Sequence, residues 1–151
     1  MTMTDGAPDP IEIVEVEPRL IAMVRKTVAL NDMRQAQVEA RALLAATLEA
    51  AEVEAGGTLT IWRPPHAGMM DYAPGIFVPE GFSVSGAVSL FTLPPGRAAH
   101  LRMSGSYTGL PDAWRRLFAG IEDRGLALAG TNWEVYASPE IGGADLYALL
   151  A

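Results

Sequence analysis

Glu134 stands in the segment Asn132-Trp133-Glu134-Val135-Tyr136, a carboxylate among aromatic and β-branched neighbours. Side chains alternate along an extended chain, so Glu134 and Tyr136 share one face while Trp133 and Val135 share the other. A carboxylate beside aromatic rings can carry a proton, activate a water or balance a bound cation. Burying it without a partner costs free energy, and a glutamate equally suits the wet face of a half-buried sheet. A residue, a ligand or solvent must therefore meet this charge.

Other chemistry is thinly represented. His66 and His100 are isolated, with no HExxH pattern and no paired carboxylates, so no metal site is expected. Gly56-Gly57 and Gly142-Gly143 lack the spacing of a phosphate loop, and Gly81-Phe82-Ser83-Val84-Ser85 does not make a nucleophile elbow. No cofactor is implied. The chain has no cysteine, which excludes disulfides and thiolate chemistry. A formal charge of −7 argues against binding a phosphate backbone and leans toward cationic partners. No apolar run approaches the roughly 20 residues that span a bilayer, and residues 1–10 are polar with no basic n-region. A cytoplasmic address with a flexible tail over 1–10 is the expectation, followed by one domain over 11–151.

The elements that must position Glu134 follow from periodicity. Ile11 to Val16 reads as a strand, and Leu20 to Lys26 as the second arm of a hairpin turned at Glu17-Pro18-Arg19. Met33, Ala36, Ala40, Leu43, Leu44, Leu48 and Ala51 form one helical stripe, capped by Asn31 or Asp32 and ended by Gly56-Gly57. Thr58 to Trp62 is a short strand, His66 to Gly75 a loop and Ile76 to Val78 another short strand. Phe82 to Leu93 alternates, Pro94-Pro95-Gly96 turns the chain, and Ala98 to Met103 returns. Pro111 opens a helix whose stripe is Trp114, Leu117, Phe118 and Ile121, and Gly125 stops it. Thr131 to Ala137 is the strand carrying Glu134, and Leu146 to Leu150 an edge strand. Trp114, Phe118 and Trp133 read as core.

The order hairpin, helix, strand occurs twice, with Ile61-Trp62-Arg63-Pro64-Pro65 matching Val135-Tyr136-Ala137-Ser138-Pro139. A duplication with halves of about 11–80 and 81–151 gives an antiparallel sheet with two helices packed on one side, an α+β fold. Superposing the halves sets Thr60 against Glu134 and Trp62 against Tyr136 about a pseudo-twofold axis, two facing aromatics around one charge.

Three stretches in the second half carry a resemblance: Leu93-Pro94-Pro95-Gly96-Arg97, then Gly105-Ser106-Tyr107-Thr108-Gly109-Leu110, then Trp133-Glu134-Val135-Tyr136 with Pro139. Their order and spacing resemble the GyrI-like small-molecule-binding domain, also the effector-binding domain of AraC- and MerR-type regulators. The resemblance implies duplicated strand-helix-strand-strand units with a central cleft, aromatic residues around Glu134, and Tyr107 near the cleft. Trp62, Tyr72, Tyr107, Glu134, Tyr136 and Met70 are the expected ligand-binding residues, the thioether suiting a mouth that accepts several shapes. It further implies a standalone binding domain for hydrophobic, cationic or polyaromatic small molecules. The alternatives it implies are a hydrolase of electrophilic cyclopropane-bearing genotoxins acting through Glu134 and Tyr107, or a protein-protein inhibitor of the gyrase type. Fewer than a dozen residues precede the first strand, so no helix-turn-helix and no direct nucleic acid binding are expected.

Overall fold

The computed structural model describes residues 11–53, 56–137 and 142–151. The expected tail over 1–10, and Pro139, lie outside the described residues. The strands are β1 (Glu12–Val16), β2 (Arg19–Met23), β3 (Lys26–Val28), β4 (Thr58–His66), β5 (Met69–Phe77), β6 (Ser89–Leu93), β7 (Gly96–Met103), β8 (Leu128–Tyr136) and β9 (Ala144–Leu150). The helices are α1 (Met33–Ala50) and α2 (Leu110–Asp123), each entered through a short 3₁₀ turn.

All nine strands join one antiparallel sheet in the order β1-β7-β9-β8-β4-β5-β2-β6, with β3 on β5. The order is symmetric about the β8–β4 pair: β2-α1-β4-β5 and β7-α2-β8-β9 are the two strand-helix-strand-strand units. The α+β architecture and its duplication thus match the expectation, while several details differ. The expected edge strand Leu146 to Leu150 is the interior strand β9, paired on both sides, with β7 and β8. The expected hairpins do not form, since β1 pairs with β7 and β6 pairs with β2. Pro18 and the Pro94-Pro95 pair end one strand and send the chain across the axis, because proline has no N–H to continue a ladder. Each half therefore completes the edge of the other, and the sheet curls. The expected loop at His66 to Gly75 is mostly strand β5, returning from a turn at Ala67-Gly68. Gly75 is needed there, as a Cβ would come within 3.2 Å of the Ala22 carbonyl. Of the expected Phe82 to Leu93 strand, only Ser89–Leu93 forms.

Both helices lie on the face that carries Glu134. Ala40, Leu44 and Leu48 of α1 pack on Ala22 and Ile76, and Ala113, Leu117 and Ile121 of α2 pack on Leu101, Leu146 and Ala148. Trp133 is core, as expected, on the opposite face with Ile21, Leu59, Ile61 and Leu149. Leu43, included in the expected stripe, is 38% exposed. Helix α1 stops at Ala50, before Gly56-Gly57, because Glu52 adopts a left-handed φ of 54° and closes the end by itself.

Candidate functional site

The middle of the sheet is the β4–β8 pair, where Thr60 lies directly opposite Glu134. The two residues are the buried polar side chains of the described structure, Thr60 at 0% exposure and Glu134 at 2%. Each is reached by one helical side chain. The Trp114 Nε1–H of α2 donates to Glu134 Oε1 at 2.7 Å, and the Arg41 Nη2–H of α1 donates to Thr60 Oγ1 at 3.1 Å. Arg41 also donates to the carbonyls of Gly75 and Leu59, both at 2.7 Å.

Tyr136 joins the two systems. Its hydroxyl donates to Glu134 Oε2 at 2.5 Å and lies 2.6 Å from Thr60 Oγ1. Burial, then the neighbouring Glu134 charge, push this phenol far above its ordinary range, so it is a proton holder at neutral pH. Burial lowers Arg41 from its usual value against the attraction of its neighbours. A guanidinium starts so far above neutrality that it stays charged. The carboxylate is thus bonded on both oxygens, by an indole and a phenol.

Beside Glu134 opens a cavity of about 560 Å³, within the roughly 300–1,000 Å³ usual for ligand sites. Its walls are mainly apolar: Trp62 from β4, Leu110, Trp114 and Phe118 from α2, and Leu128 from β8, with Glu134 the acidic group among them. Arg63 and Asn132 also line it. Trp62 Nε1 and Asn132 Oδ1, on directly paired residues, are buried without a hydrogen-bond partner.

The residues singled out in the sequence fall in four places. Trp62 and Glu134 line the cavity. Tyr136 is bonded to Glu134 from the Thr60 side, and the Tyr107 ring tilts against it with centroids 5.3 Å apart. Tyr107 is 44% exposed, and its hydroxyl donates to the Ala137 carbonyl at 3.2 Å. Tyr72 backs the cavity by stacking on Trp62 at 5.2 Å, while its hydroxyl donates to the Met33 carbonyl. Met70 pairs with Val28 on the far side of β5 and is not among the lining residues. Trp62 and Tyr136 occupy equivalent positions but do not face each other, because Trp62 is opposite Asn132 in an antiparallel register.

Trp114 and Phe118, expected in the core, form the roof of the cavity, stacked with centroids 5.5 Å apart. A half-buried tryptophan needs a partner for its N–H, and that requirement is the sequence signal that pointed away from plain core. Arg41 gave a comparable signal, a cation on the edge of an apolar helical stripe. Among the described residues no group of three or more His, Asp or Glu side chains is placed to hold a metal. No helix among them is long and apolar enough to cross a membrane.

Fold and site together define a duplicated α+β module with a mainly apolar cavity between α2 and strands β4 and β8, edged by one carboxylate. The sequence model of the GyrI-like small molecule binding domain matches residues 9–141, and the chain belongs to that family. It is similar in structure to the EcmrR C-terminal domain, with 14% identity over 95% of this chain and 98% of that one and a TM-score of 0.76. A hydrolase from Listeria innocua is 12% identical over 96% of this chain and 94% of that one, with a TM-score of 0.68. SAV2435, solved with tetraphenylphosphonium bound, is 11% identical over 94% of each chain, with a TM-score of 0.66. No curated protein matches the chain.

Proposed function

We propose that this small-molecule-binding domain takes up hydrophobic cations or cationic polyaromatic compounds in the cavity beside Glu134. The observation that carries the reading is the buried carboxylate at the edge of a mainly aromatic and aliphatic cavity. Stacking on Trp62, Trp114 and Phe118 supplies affinity with loose shape selection, and a ring face adds roughly 0.5–2 kcal/mol for each well-placed cation contact. Glu134 supplies the choice of charge. Arg63, at the cavity wall, disfavours a cationic group at its own end and so orients an asymmetric ligand with its charge toward Glu134. The tetraphenylphosphonium held by the similarly folded SAV2435 makes that ion a reasonable probe. Titrating it against tryptophan fluorescence should show saturable binding that weakens about tenfold or more in Glu134→Gln, a loss of roughly 1.4 kcal/mol. Equal affinity for the two proteins would refute the charge role.

A second reading is hydrolysis of an electrophilic ring, and it is favoured by Glu134, a carboxylate able to act as a base, fixed at the cavity by the Tyr136 hydroxyl. The Tyr107 hydroxyl is engaged with the Ala137 carbonyl and would have to leave it to assist. Mass spectrometry of a cyclopropane-bearing substrate incubated with excess protein separates the readings, since unchanged compound removes the hydrolase.

A further inference from the structure

Arg41 lies on the other half of the molecule from the cavity, yet a continuous set of hydrogen bonds joins it to Glu134. Each link can be assigned a direction. A guanidinium only donates, so Thr60 Oγ1 accepts from Arg41. Thr60 then has one proton of its own, and the adjacent acceptor is the Tyr136 oxygen at 2.6 Å. The Tyr136 proton is left for Glu134 Oε2. Reversing the order would leave Thr60 with its own proton and no acceptor, between two donors.

We infer that Arg41 is a positioning residue for the ligand-binding carboxylate: through Thr60 it fixes Tyr136 as a donor to Glu134 Oε2 and so holds the carboxylate in one orientation at the cavity. This inference rests on the proposed function and deepens it. A cation in direct contact with Glu134 would satisfy the carboxylate and leave nothing for a ligand. A relay through two hydroxyls avoids that outcome. The charged and titratable groups around Glu134 are Tyr136 on its own strand, Arg41 through Thr60 from α1, and Arg63 at the cavity wall from β4; α2 contributes the indole of Trp114, and β9 places Leu146 opposite.

The arrangement is anchored well enough to be tested by substitution. The bonds from Arg41 to the Gly75 and Leu59 carbonyls survive in Thr60→Val, which cuts the relay at its middle with little change of shape. Thr60→Val therefore serves as the second variant beside Arg41→Met, should the latter fold poorly.

Two measurements decide the matter. The first needs no ligand. NMR should show a slowly exchanging downfield hydroxyl proton that is absent from Tyr136→Phe, and it should shift or exchange rapidly in Arg41→Met and Thr60→Val. A signal unmoved in both variants overturns the inference. The second compares tetraphenylphosphonium with neutral triphenylphosphine oxide at pH 7. The cation preference should fall about tenfold in Arg41→Met and Thr60→Val, because the carboxylate is no longer held in one orientation. Arg41→Lys should restore most of the preference. Equal weakening of both ligands would mark Arg41 as merely structural and overturn the inference. If Glu134→Gln leaves the preference intact, the functional reading fails, and the NMR signal still decides the role of Arg41.

Discussion

The two halves share one framework and differ where it meets the sheet centre. Both helices end in the same way. Val53 N–H donates to the Leu48 carbonyl and Glu52 N–H to that of Glu49, as Leu126 does to Ile121 and Gly125 to Glu122. Aligned on these ends, the buried residues Ala40, Leu44 and Leu48 match Ala113, Leu117 and Ile121. The same alignment matches Arg41 with Trp114 and Ala45 with Phe118, and the strands match Thr60 with Glu134 and Trp62 with Tyr136. In the first half a cation is tied to backbone carbonyls and a hydroxyl, beside a cavity of about 330 Å³. In the second an indole is tied to a carboxylate, beside the larger cavity of about 560 Å³. A few side-chain changes on one scaffold thus give a brace on one side and a receptor on the other. The halves are also interleaved, since Trp62 of the first lines the cavity of the second while the Tyr136 ring lies 5.8 Å from the Arg41 guanidinium carbon.

The comparison can be broken most directly at its buried pairs. Leu44→Ala and Leu117→Ala should each lower the unfolding free energy by about 2–5 kcal/mol, and urea denaturation will measure both. A loss below about 1 kcal/mol at either position would end the claim that the frameworks are equivalent.

The polar centre gives a smaller, pH-dependent effect. The Tyr136 phenol is raised in the folded state, so below about pH 10 it is protonated folded or unfolded and its contribution is intact. Above that, the unfolded chain ionises while the folded one does not, and stability falls by up to about 1.4 kcal/mol per pH unit. Tyr72 and Tyr147, also raised by burial, act with the same sign. Thermal unfolding between pH 8 and 11 should show this decline, and Tyr136→Phe should flatten it. An unchanged slope would mean that Tyr136 is not the buried acid described.

The helix ends sharpen the comparison by the least energy. Glu52 at φ 54° and Gly125 at φ 66° occupy the same left-handed position, which glycine tolerates best. Glu52→Gly should therefore raise stability by up to about 1 kcal/mol, and Gly125→Ala should lower it by about as much, read as opposite shifts in melting temperature.

Legibility in the sequence followed the range of the interaction. The period-two pattern around Trp133 and Glu134 and the stripe through Leu117 and Ile121 are local, and both elements appear where that pattern put them. The duplication was legible because whole units repeat, down to the match of Ile61-Trp62-Arg63 with Val135-Tyr136-Ala137. Pairing was not: nothing local to Ile13 or Phe91 says that its strand belongs to the opposite half. Strand β5 was hidden by Pro74 and Gly75, residues that usually punctuate strands and here sit where backbone approaches backbone. At the site, Glu134 announced itself by its setting, whereas the roles of Arg41, Thr60 and Trp114 depend on partners distant in sequence.

The strand exchange between halves has a consequence for how such a chain could arise. A single unit, made alone, would project its leading strand away from its own sheet with no neighbour to zip against. Two copies trading that strand would close both borders at once, so half-length chains would leave no open border as an intertwined pair and would leave one each as lone monomers. Joined in tandem, the two copies need not carry the same residues, and one helix carries arginine where its twin carries tryptophan.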